Sequence, residues 1–72
     1  MTKIRMLQTV EDMHKYVVTD DDGAPSVAHD TRVFAEGAEY DESNGGPDWE
    51  RRAAGFLKLS NDAGAFAEVV EA

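Results

Sequence analysis

Hydrophobic and polar positions fall into a helical period in one long stretch of this chain, Pro47 to Ser60, and into short extended runs elsewhere. Placed at 100° per residue, Trp49, Ala53, Phe56 and Leu57 share one face and Arg51 and Lys58 the other, which predicts an amphipathic helix over 47–60. Pro47 suits a first helical position, where its missing N–H has no intrahelical partner to lose. Asp48 and Glu50 complement the positive end of the helix dipole, and Lys58 the negative end. Gly64 is the candidate for a left-handed residue closing the helical region. Gly55, inside the helix, costs about 1 kcal/mol relative to Ala, which suggests that another backbone passes close to it.

The extended runs predict strands. Over 3–9, Ile4 and Met6 alternate with Lys3 and Arg5, the period of a half-buried strand, until Leu7 breaks it. Val10 to Met13 reads as a connection. Lys15 to Thr19 is β-branched and aromatic and predicts a second strand, running into the turn signal Asp20-Asp21-Asp22-Gly23. Because Pro25 cannot donate to a sheet ladder, the span 20–30 reads as a projecting loop. Further strands are predicted over 31–35, 38–41 and 65–70, with a flexible loop at 42–46. The predicted fold is α+β: one domain over 1–72, with a small curled antiparallel sheet of four or five strands, an SH3-like partial barrel, and one helix packed across it. Its core would use Ile4, Met6, Leu7, Tyr16, Val18, Val33, Phe34, Tyr40, Trp49, Phe56, Leu57, Leu59, Phe66 and Val69.

Length bears on that core. Seventy-two residues without cysteine lie near the lower limit for a self-sustaining domain, and no disulfide or thiolate–metal staple is available. Packing against copies of itself or a larger partner is therefore expected to matter. No apolar run approaches the roughly 20 residues of a membrane span, and the N-terminus lacks a signal peptide's apolar centre; a soluble chain made in the cytosol, with no membrane partner, is expected. The formal charge of −8 argues against nucleic acid as a partner, which requires a basic footprint. The cations Lys3, Arg5, Arg51 and Arg52 could still form a local basic patch.

Candidate chemistry changes the picture little. The run Asp20–Gly23 lacks the alternating ligands and the later Glu of a calcium loop, for Val18 and His29 occupy those places. His14 and His29 lie far from the close spacing of zinc ligands. Ser26, Ser43 and Ser60 have no nucleophile context, Asn44-Gly45-Gly46-Pro47 lacks the Lys-Ser/Thr of a phosphate loop, and no nucleophile–base–orienter set can be named. No catalytic residue, cofactor or metal is expected, and the chain reads as a non-enzyme.

Three stretches carry a resemblance: Lys3-Ile4-Arg5-Met6-Leu7-Gln8-Thr9, Phe34-Ala35-Glu36-Gly37-Ala38-Glu39-Tyr40-Asp41 and Asp62-Ala63-Gly64-Ala65-Phe66-Ala67-Glu68. Together they resemble short head-region proteins of tailed bacteriophages and prophages, which run "K-V-K-M-L-x-T", then "G-x-x-Y-x-L" and a helix, closing on "x-A-G-x-A-E". The chain departs from that pattern in the longer stretch 20–30 and in Ser43 to Gly46, which stands where "L-P" usually precedes the helix. The resemblance implies a virion structural protein on the capsid surface, foremost a decoration or cement protein whose partners are the major capsid protein and copies of itself. A head–tail joining or tail component shares that setting. A different class, a small acidic regulator that mimics DNA toward a basic protein, is motivated by the charge alone. Candidate partner contacts are Lys3, Arg5, Asp21, Asp22, Pro25, Val27, Arg51 and Arg52.

Overall fold

The computed structural model describes residues 2–70; residues 1, 71 and 72 of the predicted 1–72 domain lie outside the described residues. The chain is a small α+β fold in which one helix meets several antiparallel strands. Among the described residues the strands divide into three small sheets, and none closes into a barrel. Strand β1 (Ile4–Met6) is central to the first, flanked by β4 (Glu39–Tyr40) and β7 (Ala67–Val69). Its alternation works as the sequence predicts: Ile4 and Met6 are buried, and Arg5 projects from the other face.

The second sheet is a hairpin of two ten-residue strands, β2 (Val10–Thr19) and β3 (Pro25–Phe34), paired from Val10↔Phe34 to Thr19↔Pro25. This corrects two expectations. Val10 to Met13 is strand and not connection, and the projecting loop 20–30 contracts to a turn at 20–24. Asp20 makes that turn tight: its Oδ1 accepts the Asp22 and Ala24 N–H groups, and Gly23 takes φ 82°. The Asp20 N–H donates to the Ala24 carbonyl at 3.0 Å. In an antiparallel ladder this fixes the parity: even-numbered residues direct their backbone groups between the strands, and odd-numbered residues direct theirs to the outer edges. Pro25 is odd-numbered, so its missing N–H falls on an outer edge, where it removes no ladder bond.

Helix α1 spans Trp49–Lys58, two residues shorter at each end than predicted. Pro47 precedes it. Asp48 is the N-cap, held left-handed at φ 57° with its side chain turned away from the helix amides. At the other end Leu59 is already extended and its N–H donates to the Gly55 carbonyl. A short hairpin follows, β5 (Ser60–Asn61) against β6 (Gly64–Ala65), and Gly64 at φ 111° opens β6, paired with Asn61, and is not a helix cap. The predicted strand 65–70 is thereby divided between β6 and β7. Gln8 fastens the small hairpin, exchanging amide hydrogen bonds with Asn61 and donating to the Gly64 and Ala65 carbonyls.

The core is Ile4, Met6, Phe34, Trp49, Ala53, Phe56 and Ala67, with Val10, Tyr40, Leu57 and Phe66 packed against it. Phe34 is its centre, with edge-on contacts to Tyr40 and Phe56 at 4.7 and 4.9 Å and a stacked contact to Trp49 at 6.5 Å. Leu7, Val18, Val33, Leu59 and Val69, expected inside, are exposed. The predicted flexible loop at 42–46 is pinned by Asp41, whose carboxylate accepts from the Ser43 N–H and hydroxyl, and by Asn44, which bonds to both Asp41 and Glu39.

The glycines yield a contrasting pair of tests. A Cβ on buried Gly45 would overlap the Trp49 ring, whereas one on Gly55 would meet open space, so no neighbouring backbone accounts for that glycine. Gly45→Ala is expected to destabilise by about 1–3 kcal/mol through overpacking, and Gly55→Ala to stabilise by about 1 kcal/mol through helix propensity. Thermal unfolding reads both, with about 4–8 °C of midpoint per kcal/mol in a domain of this size.

Candidate interaction surface

The side chains that position the long hairpin are polar. Along β2 the half-buried residues are Val10, Asp12, His14 and Tyr16, and the exposed ones Glu11, Met13, Lys15, Val17, Val18 and Thr19. What the inner face meets is Arg52, projecting from α1 and only 2% exposed. Its Nε donates to Asp12 Oδ2 at 3.0 Å and its Nη1 to Asp30 Oδ2 at 2.6 Å. Its Nη2 reaches the backbone carbonyls of Asp12 and Asp30 at 3.0 and 3.2 Å. The guanidinium carbon lies 4.7 Å from the centre of the Phe34 ring, a cation–π contact. One planar fork thus bridges both strands, which only arginine's fixed donor geometry allows. Arg52 was expected in an exposed basic patch; the structure overturns that, because the two carboxylates and the Phe34 face draw it inside.

Beside this clamp, His14 Nε2 meets Asp48 Oδ2 at 2.9 Å and the His14 ring stacks on Tyr16 at 6.4 Å. Asp48 gives up the usual N-cap bond for this contact. Tyr16, Val17, Asp48 and Arg51 line an open cleft of about 400 Å³. Arg51 is exposed and forms no ion pair among the described residues. Arg32 donates to Asp30 at 2.7 Å. Together Arg32, the stronger influence, and Arg52 hold the Asp30 carboxyl below the usual Asp range.

The other expected contacts divide. Lys3 and Arg5 lie on the separate sheet of β1, where they are occupied: Arg5 bonds Glu39 and Glu68 on its two neighbouring strands, and Lys3 pairs with Glu39. Those cations lower the Glu39 pKa, Arg5 foremost. Neither is a free charge for a partner. Asp21, Asp22, Pro25 and Val27, by contrast, are gathered at the exposed end of the hairpin. Sequence reasoning missed the rest of that face. Its residues are Glu11, Met13, Lys15, Val17 and Thr19 on β2, and Pro25, Val27, His29, Thr31 and Val33 on β3. Val17 and Val27 are cross-strand partners, 67% and 63% exposed. The signal was weak, since Glu11, Met13, Lys15 and Val17 share one strand face and its mixture of charged and apolar residues gives no clear hydrophobic alternation. Among the described residues no cluster of three or more His, Asp or Glu side chains has metal-holding geometry, and no helix is long and apolar enough to cross a membrane.

Compared with known protein families, with curated proteins and with solved structures, the chain finds no match.

Two outcomes test the clamp. Arg52→Leu leaves Asp12 without its arginine and Asp30 with Arg32 alone, and should cost about 2–3 kcal/mol. This is below the ~3–5 kcal/mol of a fully buried pair, because both carboxylates keep some contact with water. Hydrogen exchange should show protection lost over β2 and β3 before β1 and β7. Acid gives the second outcome. Asp30 and Glu39 have lowered folded pKa values, so their contribution to stability is complete above the unfolded values, about 3.9 for Asp and 4.3 for Glu, and is lost as pH falls through the folded ones. The unfolding midpoint should stay level between about pH 7 and 5 and fall below about pH 4. Asp30→Asn should make that fall shallower.

Proposed function

We propose that this protein is a non-catalytic binding component and that the outer face of its β2–β3 hairpin is the contact element. One observation carries the reading: Met13, Val17, Val27 and Val33 are all exposed on the outer face of a two-stranded sheet, an arrangement that is only marginally stable in water without a cover. The resemblance at residues 3–9, 34–41 and 62–68 supports a bacteriophage setting, with the protein as a decoration or cement protein on the head shell and the major capsid protein beneath it. A subunit repeated over a shell gains avidity from repetition, so a small face suffices for each copy. The SH3-like description belongs to the same proposal; it is supported by the short antiparallel strands β4, β1 and β7 with α1 against them.

The acidic-regulator reading draws less support. Asp12, Asp30, Glu39 and Glu68 are engaged by arginines, Glu50 by the Thr2 amide and hydroxyl, and Asp41 by Ser43. Of the other acids among the described residues, Glu11 lies on β2, Asp48 caps α1 and pairs with His14, and Asp20, Asp21, Asp22, Glu36, Glu42 and Asp62 lie in separate turns and loops, so they form no continuous stripe. Quantitative mass spectrometry of density-purified particles tests the capsid role. A near-stoichiometric ratio to the major capsid protein is expected. A handful of copies per particle would move the protein to the neck or tail, and absence from particles would overturn the virion reading.

A further inference from the structure

The outer edge of β2 is an unpaired row of backbone groups. By the parity set at the turn, it presents the N–H and C=O groups of Glu11, Met13, Lys15, Val17 and Thr19. Among the described residues none of these groups bonds to another part of the chain outside the hairpin. Natural proteins blunt such edges. The edge of β3 begins with Pro25, which removes a donor, but the β2 edge contains no proline. An isolated ten-residue hairpin with such an edge is a template for one more strand.

The sequence of β2 indicates which strand. Around Met13 the order Val10-Glu11-Asp12-Met13-His14-Lys15-Tyr16 is antisymmetric in charge, with two acids before the methionine and two basic-type residues after it, flanked by apolar side chains. We propose that two copies of this chain pair antiparallel through their β2 edges, with the two-fold axis at Met13, forming one continuous sheet in the order β3-β2-β2-β3. In that register Met13 faces the partner's Met13, and Glu11 faces the partner's Lys15. On the inner face Val10 lies opposite the partner's Tyr16 and Asp12 opposite the partner's His14. The register also satisfies the hydrogen bonding. Residues facing each other are odd with odd, and those are the residues whose backbone groups point outward, so Met13 and the partner's Met13 exchange both of their bonds. Because the interface is isologous, each favourable pair occurs twice. The outer face of the hairpin carries one acid, Glu11, with Lys15 and His29, so the chain's net charge of −8 lies largely away from the seam. This inference is independent of the capsid reading.

The test is sedimentation velocity with the full chain from micromolar to millimolar concentration at physiological salt, with circular dichroism and thermal melting as controls for folding. A species of twice the 7.9 kDa chain mass is expected at the upper end. Glu11→Lys alone, or Lys15→Glu alone, sets like charges across the axis at two places and should weaken the dimer by about tenfold, two cross-strand pairs being involved. The double swap Glu11→Lys with Lys15→Glu restores opposite charges in the same register and should recover the association. Met13→Pro removes both central bonds and should leave a folded monomer; if that variant fails to fold, the charge swap decides alone. A chain that stays monomeric to millimolar concentration overturns the proposal and leaves the edge to a strand of another protein. A dimer indifferent to the charge changes overturns it too, by placing the interface elsewhere.

Discussion

One guanidinium holds both strands of the long hairpin against helix α1, beside the His14–Asp48 contact and the Phe34 ring that enters the core. Arg52 is withdrawn from water yet has carboxylates on both strands, two backbone carbonyls and an aromatic face within reach. A buried charge is tolerated only when it is paired and hydrogen-bonded, so the side chains around it are tightly constrained. Asp12 and Asp30 must come from adjacent strands in the observed register, and Phe34 must end β3 where its ring can serve the guanidinium and the core together. Arg32 then shares Asp30 and extends the clamp along β3. The apolar core proper, from Ile4 to Ala67, lies beside this arrangement.

That division explains which parts could be read from residue order. Strand β1 was legible because its buried side is apolar, and the helix was legible from Trp49, Ala53 and Phe56. The hairpin was not, because its pattern is reversed. Asp12 and His14 point inward toward α1, and Met13 and Val17 point outward, so hydrophobic periodicity assigned the first half to a connection. Pro25 reinforced the error, for a proline argues against a strand unless its nitrogen faces a free edge, and only the pairing shows that it does. Arg52 misled for a related reason. At one position from Arg51 it looked like half of a surface pair, but the helix turns by about 100° per residue, enough to send one guanidinium to solvent and the other inside.

The candidate surface was legible only in part. Asp21, Asp22, Pro25 and Val27, expected in a projecting loop, lie instead in the turn and on β3 of the hairpin. Lys3 and Arg5 are engaged by glutamates from β4 and β7, far away in the sequence. Nothing in the local composition of 3–9 announces those partners. The Gly45 position likewise had no sequence signature beyond loop character, whereas its physical role is to make room for the Trp49 indole, whose Nε1 donates to the Thr2 carbonyl at 2.7 Å.

The three sheets also differ greatly in how far along the chain their partners lie. The hairpin closes over a five-residue turn, an event of microseconds. Sheet β4-β1-β7 instead joins Ile4 to Val69, and closing so long a span slows its pairing, because loop closure is paid in entropy before contacts return it. The chain therefore has a natural sequence of assembly. The hairpin can form first and remain fleeting. Arg52 arrives with the helix, and the last strand then closes over β1, locking what had been local into a cooperative whole.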